Sequence, residues 1–404
     1  MPNALATLRH AWRALRRTPG YLTAAVLTLA LGIGATTALF GVVDRVLLRP
    51  LPYREPARLV RVWDRGVSDG LLDAIRTRST GYADVAAFGY AGDATVVAAT
   101  GFGRPAPSRA RTSAVTGNLF DLLGVRAALG RTLRPDDGRP SAAHVVVLSD
   151  AYWRERMGAD PRVVGRSVTI DGERHEIVGV MPPAFRFPSA TVAIWMPVRI
   201  DPADVVGYWW NWRLNVIARL APGTTAGRAE AETRAIVGRA GEHDFPQRMQ
   251  AGFGRDLRVL PLQAALVGGA RATLVLLFGG VAVMLVVAVV NATGLALVRA
   301  AGRARELTVR AAVGAGRARL VAQLVAEGVV VAGIAAMLGA ALAWALTRAL
   351  AAAIPATLTD GVPGAEALGL DARALAFACA VALTAGVGAA LLPALRASRV
   401  DLRG

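Results

Sequence analysis

The sequence predicts an α-helical membrane protein with four transmembrane helices plus a large extracytoplasmic α+β domain in two lobes. Three observations predict it. Of 404 residues, 54% are hydrophobic and 19% charged, with mean hydropathy +0.42, more apolar than an ordinary soluble domain. The excess is concentrated in four runs long enough to cross a bilayer. Between the first two runs, residues 50–270 mix period-two alternation with helix-like stretches, the signature of an α+β fold.

Taken in order, residues 1–20 read as a cytoplasmic amphipathic helix. Leu5, Leu8, Trp12 and Leu15 fall on one stripe at 3–4–3 spacing, with Arg9, Arg13 and Arg16 off it, the pattern of a helix lying in a membrane surface. The first span is 21–43, YLTAAVLTLALGIGATTALFGVV. At 1.5 Å per residue it reaches about 34 Å, enough for a hydrocarbon core of about 30 Å. It is longer than a signal-peptide apolar region and no small-x-small cleavage site follows, so it is expected to stay in the chain. The remaining spans are 272–298, 320–346 and 372–395, joined by a loop at 299–319 and a shorter one at 347–371, with a tail at 396–404. The last two spans are rich in Ala and Gly, which suits close helix approach in lipid.

Arginine placement gives a direction. Arg9, Arg13, Arg16 and Arg17 precede the first span; Arg299, Arg303, Arg305, Arg310, Arg317 and Arg319 lie between the second and third; Arg396, Arg399 and Arg403 follow the fourth. With four spans all three groups share one side, and arginine near span ends favours the cytoplasm. Arg45, Arg49 and Arg373 run against this pattern but are outnumbered. Both termini and the 299–319 loop are therefore expected in the cytoplasm, and 50–270 on the outer side of the membrane. Long loops translocate largely regardless of charge.

Within 50–270, RLVRVWD (58–64) alternates like a strand and HVVVLSD (144–150) suits a buried one. SVTIDGERHEIVGVMP (167–182) reads as a hairpin turning at Asp171-Gly172, and WRLNVIARL (212–220) alternates again. Thr224–Ala240 and Asp150–Gly158 read as helices, each opening on a capping residue.

The residues for chemistry are sparse. Net charge is +17, carried by arginine alone because the chain has no lysine. No zinc-finger spacing or RNP-like motif accompanies it, so nucleic acid is not an expected partner. The single Cys379 excludes an internal disulfide. His10, His144, His175 and His243 are far apart in sequence and lack ligand spacing, so no metal or cofactor is expected. No GxSxG or HExxH motif is present, and Asp136-Asp137 sits in a turn-like RPDDGRP. The aromatic patch of Tyr208, Trp209, Trp210 and Trp212 is read as packing or a strand edge, or else as an outer contact with a partner or headgroups. Glu327, early in the third span, is expected near the inner headgroups, the alternative being a helix–helix contact.

Several stretches resemble the MacB/FtsX-type permeases of ABC systems. GYLTAAVLTLALGIGATTALFGVVDRVLLRPLPYREPARLV resembles that family's first span and exit segment. NLFDLLGVRAALGRTL (118–133) and VLSDAYWRERMGADPRVVGRSVTIDGERHEIVGVMPPAFRFP (147–188) resemble its extracytoplasmic core domain. RARELTVRAAVGAGRARL (303–320), after the polar break NATGLALVRA, resembles its coupling loop, and LLPALRASRVD (391–401) its last span end. The resemblance implies that a coupling helix docks on a cytoplasmic ABC ATPase through Arg303, Glu306, Arg310, Gly314 and Arg317. The residues themselves allow docking on an acidic surface or simple retention of the loop at inner headgroups. Glu306 and Arg310 at i,i+4 support a short helix by a few tenths of a kcal/mol, and Gly314 is plausible C-terminal punctuation. The same resemblance lets the 1–20 helix pack on the ATPase instead of the membrane.

A chain without lysine cannot supply the GxxxxGK[ST] phosphate-binding loop, so ATPase activity is expected of a separate subunit. Related bacterial permeases carry two four-span halves and this sequence one, so a homodimer or a second permease half is expected. The function implied is a permease subunit in a bacterial inner membrane, coupling ATP hydrolysis to movement of the outer domain for export or extraction. The rival reading is a non-transporting, FtsX-like regulator whose outer domain controls a partner protein.

Overall fold

The computed structural model describes residues 4–98, 107–244, 254–303, 317–353 and 369–398. In chain order the α-helices are α1 (Ala4–Arg16), α2 (Pro19–Val43), α3 (Asp69–Arg78), α4 (Leu119–Leu123), α5 (Asp150–Met157), α6 (Val205–Trp210), α7 (Ala226–Asp244), α8 (Leu262–Gly302), α9 (Arg317–Ala353) and α10 (Ala372–Ser398). They divide between a helical unit (1–49, 269–355 and 364–404) and a mixed unit (50–268 with 356–363).

In the helical unit, four helices of the described residues are long and apolar enough to cross a membrane: Pro19–Leu48, Arg271–Gly302, Ala322–Leu350 and Ala372–Ala390. Helix α2 starts at Pro19, where the missing amide is not needed, and ends in a π-turn at Asp44–Leu48. Its core is made of small and branched residues: Ala25, Leu29, Ala30 and Ile33 meet Val331 and Ala335 of α9 and Ala378, Ala382 and Ala385 of α10, with Leu15 of α1. Glycine sets how close the backbones come. A Cβ on Gly34 would stand 2.9 Å from the Gly339 carbonyl oxygen, and one on Gly386 would stand 2.4 Å from Ala332 Cβ. Such contacts supply van der Waals packing where the solvent offers no hydrophobic driving force. Half of the first span is buried but only 6% of the second. The α8 side chains Val275, Leu276, Val283, Val286 and Val290 are all exposed, an apolar surface suited to lipid.

The mixed unit is built on one sheet. Its strands are β1 (Leu59–Val67), β2 (Tyr82–Gly89), β3 (Gly92–Ala98), β4 (Ser108–Val115), β5 (Leu129–Gly130), β6 (Val145–Leu148), β7 (Ser167–Ile170), β8 (Glu173–Val180), β9 (Ile194–Pro197), β10 (Leu214–Leu220) and β11 (Val259–Pro261). The order is β11-β1-β10-β2-β4-β3-β7-β8-β6-β9, with β5 beside β8 and a further parallel pairing of β9 with β4. That last pairing closes β4, β3, β7, β8, β6 and β9 into a ring. Val96, Ala110, Val146, Leu148, Val168, Ile170, Ile177 and Ile194, drawn from all six strands, form the core of this barrel. Closure leaves those strands without a free edge.

The open end of the sheet has its own core, in which Val62, Val216 and Val85 meet Leu71 and Ile75 of α3 and Ile236 and Val237 of α7. A third cluster joins the two, centred on Phe120, Phe185, Phe187 and Trp195, with the indole of Trp195 donating to the Phe187 carbonyl at 2.8 Å. The two ends of the sheet thus behave as two lobes.

The predicted hairpin is β7–β8, with Asp171 (φ 48°) and Gly172 (φ 90°) in the left-handed region that a two-residue turn requires. Thr225, not Thr224, caps α7 by accepting from Arg228 N at 3.3 Å. Ser149, not Asp150, caps α5, accepting from Tyr152 N at 3.2 Å, while Asp150 pairs with Arg154 at 2.7 Å. The hydroxyl one residue earlier is better placed to reach the third amide.

Candidate coupling site

Two charged clusters mark the ends of the helical unit. The first lies where α8 approaches the 304–316 segment. Glu327 of α9 is 6% exposed, and its carboxylate meets Arg299 Nη1 at 3.0 Å and Arg303 Nη1 at 3.4 Å, both from α8. Arg299 Nη2 also donates to the Ala14 carbonyl of α1 at 3.1 Å, and its guanidinium lies 4.6 Å from the ring of Tyr21 in α2. One arginine of α8 thereby touches three other helices. Arg299 Nε is buried without a partner; a cavity of about 40 Å³ lined by Tyr21, Arg299, Gln323 and Glu327 has room for a water there. Glu327 therefore makes the helix–helix contact that the sequence offered as the alternative. The sequence lacked the signal because its partner sits 28 positions earlier, at the far end of another span.

The second cluster lies at the other end of α2. Asp44 meets Arg49 at 2.8 Å and Arg373 at 3.6 Å; Asp371 meets Arg45 at 3.6 Å and also pairs with Arg49. Asp371 caps α10 by accepting from Ala374 N at 3.0 Å. That amide, with Arg49 and then Arg45, holds the Asp371 carboxyl below the usual carboxylate range against the opposing effect of burial. The three arginines that run against the charge asymmetry are thus the three paired with Asp44 and Asp371.

Of the residues singled out for coupling, Arg303 joins the Glu327 cluster and Arg317 opens α9, while Glu306, Arg310 and Gly314 lie outside the described residues. Leu5, Leu8, Trp12 and Leu15 all fall on α1. Leu15 is buried in the helical core and Trp12 is half-buried, with Arg16 at 4.6 Å from its ring. The aromatic patch is not a strand edge. Tyr208, Trp209 and Trp210 end the short α6, and Trp212 follows it. Trp209 and Trp212 pack on the core of the open lobe, Tyr208 Oη donates to Asp73 at 3.1 Å, and Trp210 is exposed beside Val205 and Val206. The histidines are not all apart: the rings of His144 and His175 lie 5.1 Å from one another.

Comparison with known proteins matches both parts of the chain. The family profile described as MacB-like periplasmic core domain matches residues 22–236, and that described as FtsX-like permease C-terminal matches 278–402. The chain is 27% identical over 301 residues to the macrolide export ATP-binding/permease protein MacB of Escherichia coli K12, covering 72% of this chain and 42% of that protein; the Shigella flexneri MacB matches equally. The chain thus spans about two fifths of the length of these curated relatives. Among solved structures, the periplasmic region of MacB from Actinobacillus actinomycetemcomitans aligns with TM-score 0.38 and 13% identity, covering 51% of this chain and 89% of that one. The extracellular domain of the noncanonic ABC-type transporter YknZ from Gram-positive bacteria aligns with TM-score 0.35 and 11% identity, covering 50% and 99%.

Proposed function

Because this chain belongs to the family defined by the MacB-like periplasmic core domain, we propose that it is the membrane-spanning subunit of an ABC system in a bacterial inner membrane. Both termini and the 299–319 loop face the cytoplasm, and the mixed unit faces outward. The loop docks on an ABC ATPase held on a separate subunit, through Arg303, Glu306, Arg310, Gly314 and Arg317. A second copy of this chain, or a second permease half, completes the assembly. ATP binding and hydrolysis move the helices, and the helices move the outer domain, which exports or extracts a substrate on the outer side.

The observation that carries this reading is the cluster of Arg299, Arg303 and Glu327 at the base of the loop. A loop displaced by an ATPase moves Arg303 first. Arg303 shares the Glu327 carboxylate with Arg299, and Arg299 holds α1 and the ring of Tyr21. A push on one loop therefore reaches α1, α2, α8 and α9 through buried contacts. On the membrane surface, α1 would then serve as a lever through Arg299, with Leu15 as its anchor.

The test is co-purification of the chain with an ABC ATPase from its host. Replacing Glu306 and Arg310 together with alanine should abolish the association. Association that persists in that variant would remove the docking role. Glu327→Gln should keep the association and lower the substrate moved per ATP hydrolysed.

A further inference from the structure

One cluster outside the coupling site groups metal-ligating side chains. His144 sits immediately before β6, and Glu173 and His175 are residues one and three of β8. These strands are parallel neighbours, with Val145 opposite Glu176 and the Glu176 amide donating to the His144 carbonyl at 2.8 Å. Glu173 and His175 lie two apart and so project from the same face of β8. Ile177, two residues on, belongs to the barrel core, as does Val146 two residues after His144. The three side chains therefore gather at one mouth of the six-stranded barrel.

Their donor atoms are close. A ring nitrogen of each histidine and a carboxylate oxygen of Glu173 all lie within 4.8 Å of one another. His144 Nδ1 is 3.3 Å from Glu173 Oε2, about the spacing of two ligands at roughly 2.0–2.1 Å on a tetrahedral ion. His175 Nδ1 is 3.0 Å from the Glu173 carbonyl. A carbonyl only accepts, so Nδ1 donates and the lone pair of the neutral ring sits on Nε2. That is the arrangement in which a backbone carbonyl fixes the tautomer of a metal-binding histidine. His175 is 7% exposed, whereas the side chains of His144 and Glu173 are 40% and 67% exposed. One ligand is thus held by the fold and the other two face solvent.

From the juxtaposition of His144, Glu173 and His175 at the barrel mouth, we propose a binding site for a borderline first-row divalent cation, Zn²⁺ or Cu²⁺. Two imidazoles and a carboxylate suit these ions and not Mg²⁺ or Ca²⁺. Three protein ligands leave the fourth position open to solvent or to a donor from another molecule. Arg199 works against the ion. Its Nη1 donates to His144 Nε2 at 3.0 Å, and its Nη2 to the Ala142 carbonyl at 2.8 Å. The first contact requires an acceptor at Nε2, whereas a neutral ring ligating through Nδ1 carries its proton there. Binding therefore obliges Arg199 to give up His144 while keeping the Ala142 carbonyl.

The test uses the full chain in detergent, purified without a polyhistidine tag and titrated with ZnCl₂ by calorimetry. One ion per chain is expected. His144→Ala and His175→Ala should each weaken it by about 100-fold, and Glu173→Gln by about tenfold, the scale known for disturbing metal ligands and their supports. Arg199→Gln should tighten it by several-fold, and His10→Ala with His243→Ala should leave it unchanged. Should the histidine variants not fold, one equivalent of Cu²⁺ on the wild-type chain decides by electron paramagnetic resonance. Hyperfine coupling to two imidazole nitrogens supports the site, and coupling to one or none overturns it. Zn²⁺ binding that is absent, or equally tight in a folded double variant lacking His144 and His175, overturns it as well.

Discussion

The two charged clusters of the helical unit have similar chemistry and opposite surroundings. At one end, Glu327 and Arg299 have side chains 7% and 9% exposed. At the other, Arg49, Asp371 and Arg373 are 35%, 28% and 67% exposed, with Asp44 at 6% and Arg45 at 14% as its buried members. Coulomb attraction grows as the local dielectric falls, but so does the penalty for leaving a charge alone. The buried cluster is therefore all-or-none, while the open one can lose members singly. A transmission element needs the first behaviour; a seam that fastens α10 to the end of α2 needs only the second.

The largest expected effect comes from breaking the buried cluster. Glu327→Ala leaves the buried Arg299 without its carboxylate and should destabilise the chain by about 3–5 kcal/mol, read from unfolding of the detergent-solubilised protein as SDS is titrated in. Replacing Arg299, Arg303 and Glu327 together with methionine should recover most of that loss, since no lone charge remains. A triple variant as unstable as Glu327→Ala would show that Arg299 matters through Ala14 and Tyr21 and not through charge. Next in size, Asp371→Ala removes a helix cap together with two partly screened ion pairs, for about 1–2 kcal/mol in the same assay.

The open cluster should also carry a pH signature. The folded-state pKa of Asp371 is depressed, so its contribution is complete above the unfolded carboxylate value of about 3.9 and fades as pH falls below it. Melting curves in detergent between about pH 5 and pH 3 should lose stability in the wild type more steeply than in Asp371→Asn. Equal slopes would remove Asp371 from the seam. The smallest effect is expected for Arg373→Ala, whose exposed contact at 3.6 Å should be worth less than about 0.5 kcal/mol.

What the sequence made legible is local. The four spans, the Asp171-Gly172 hairpin and the Thr cap of α7 are each written in a few consecutive residues. Less legible was whatever depends on pairing across distance. Strands β2, β3, β4 and β9 escaped a reading based on clean alternation; in β2 the cause is burial on both faces, which runs unbroken over its last five residues. The ring closes only because Thr112 of β4 meets Ile194 of β9, and nothing in either stretch names the other. The candidate sites divide the same way. Arg303 stood out in a basic run, but its partner Glu327 looked like a residue near headgroups. His144 and His175 looked unrelated until parallel β6 and β8 brought them to one rim. The aromatic patch drew notice by composition, yet Gly70 is what makes room for it: a Cβ there would stand 2.7 Å from the indole of Trp209.

The chain joins the sheet through β1 and leaves through β11, and these two strands lie side by side, antiparallel, with Val60 opposite Pro261. Both tethers of the globule therefore grip one hydrogen-bonded ladder from the same end. Tension shared equally by the two drags that ladder lengthwise as a single strap and hauls the rest of the globule along intact. Tension on one alone shears the strap along its length, where several backbone hydrogen bonds must fail together.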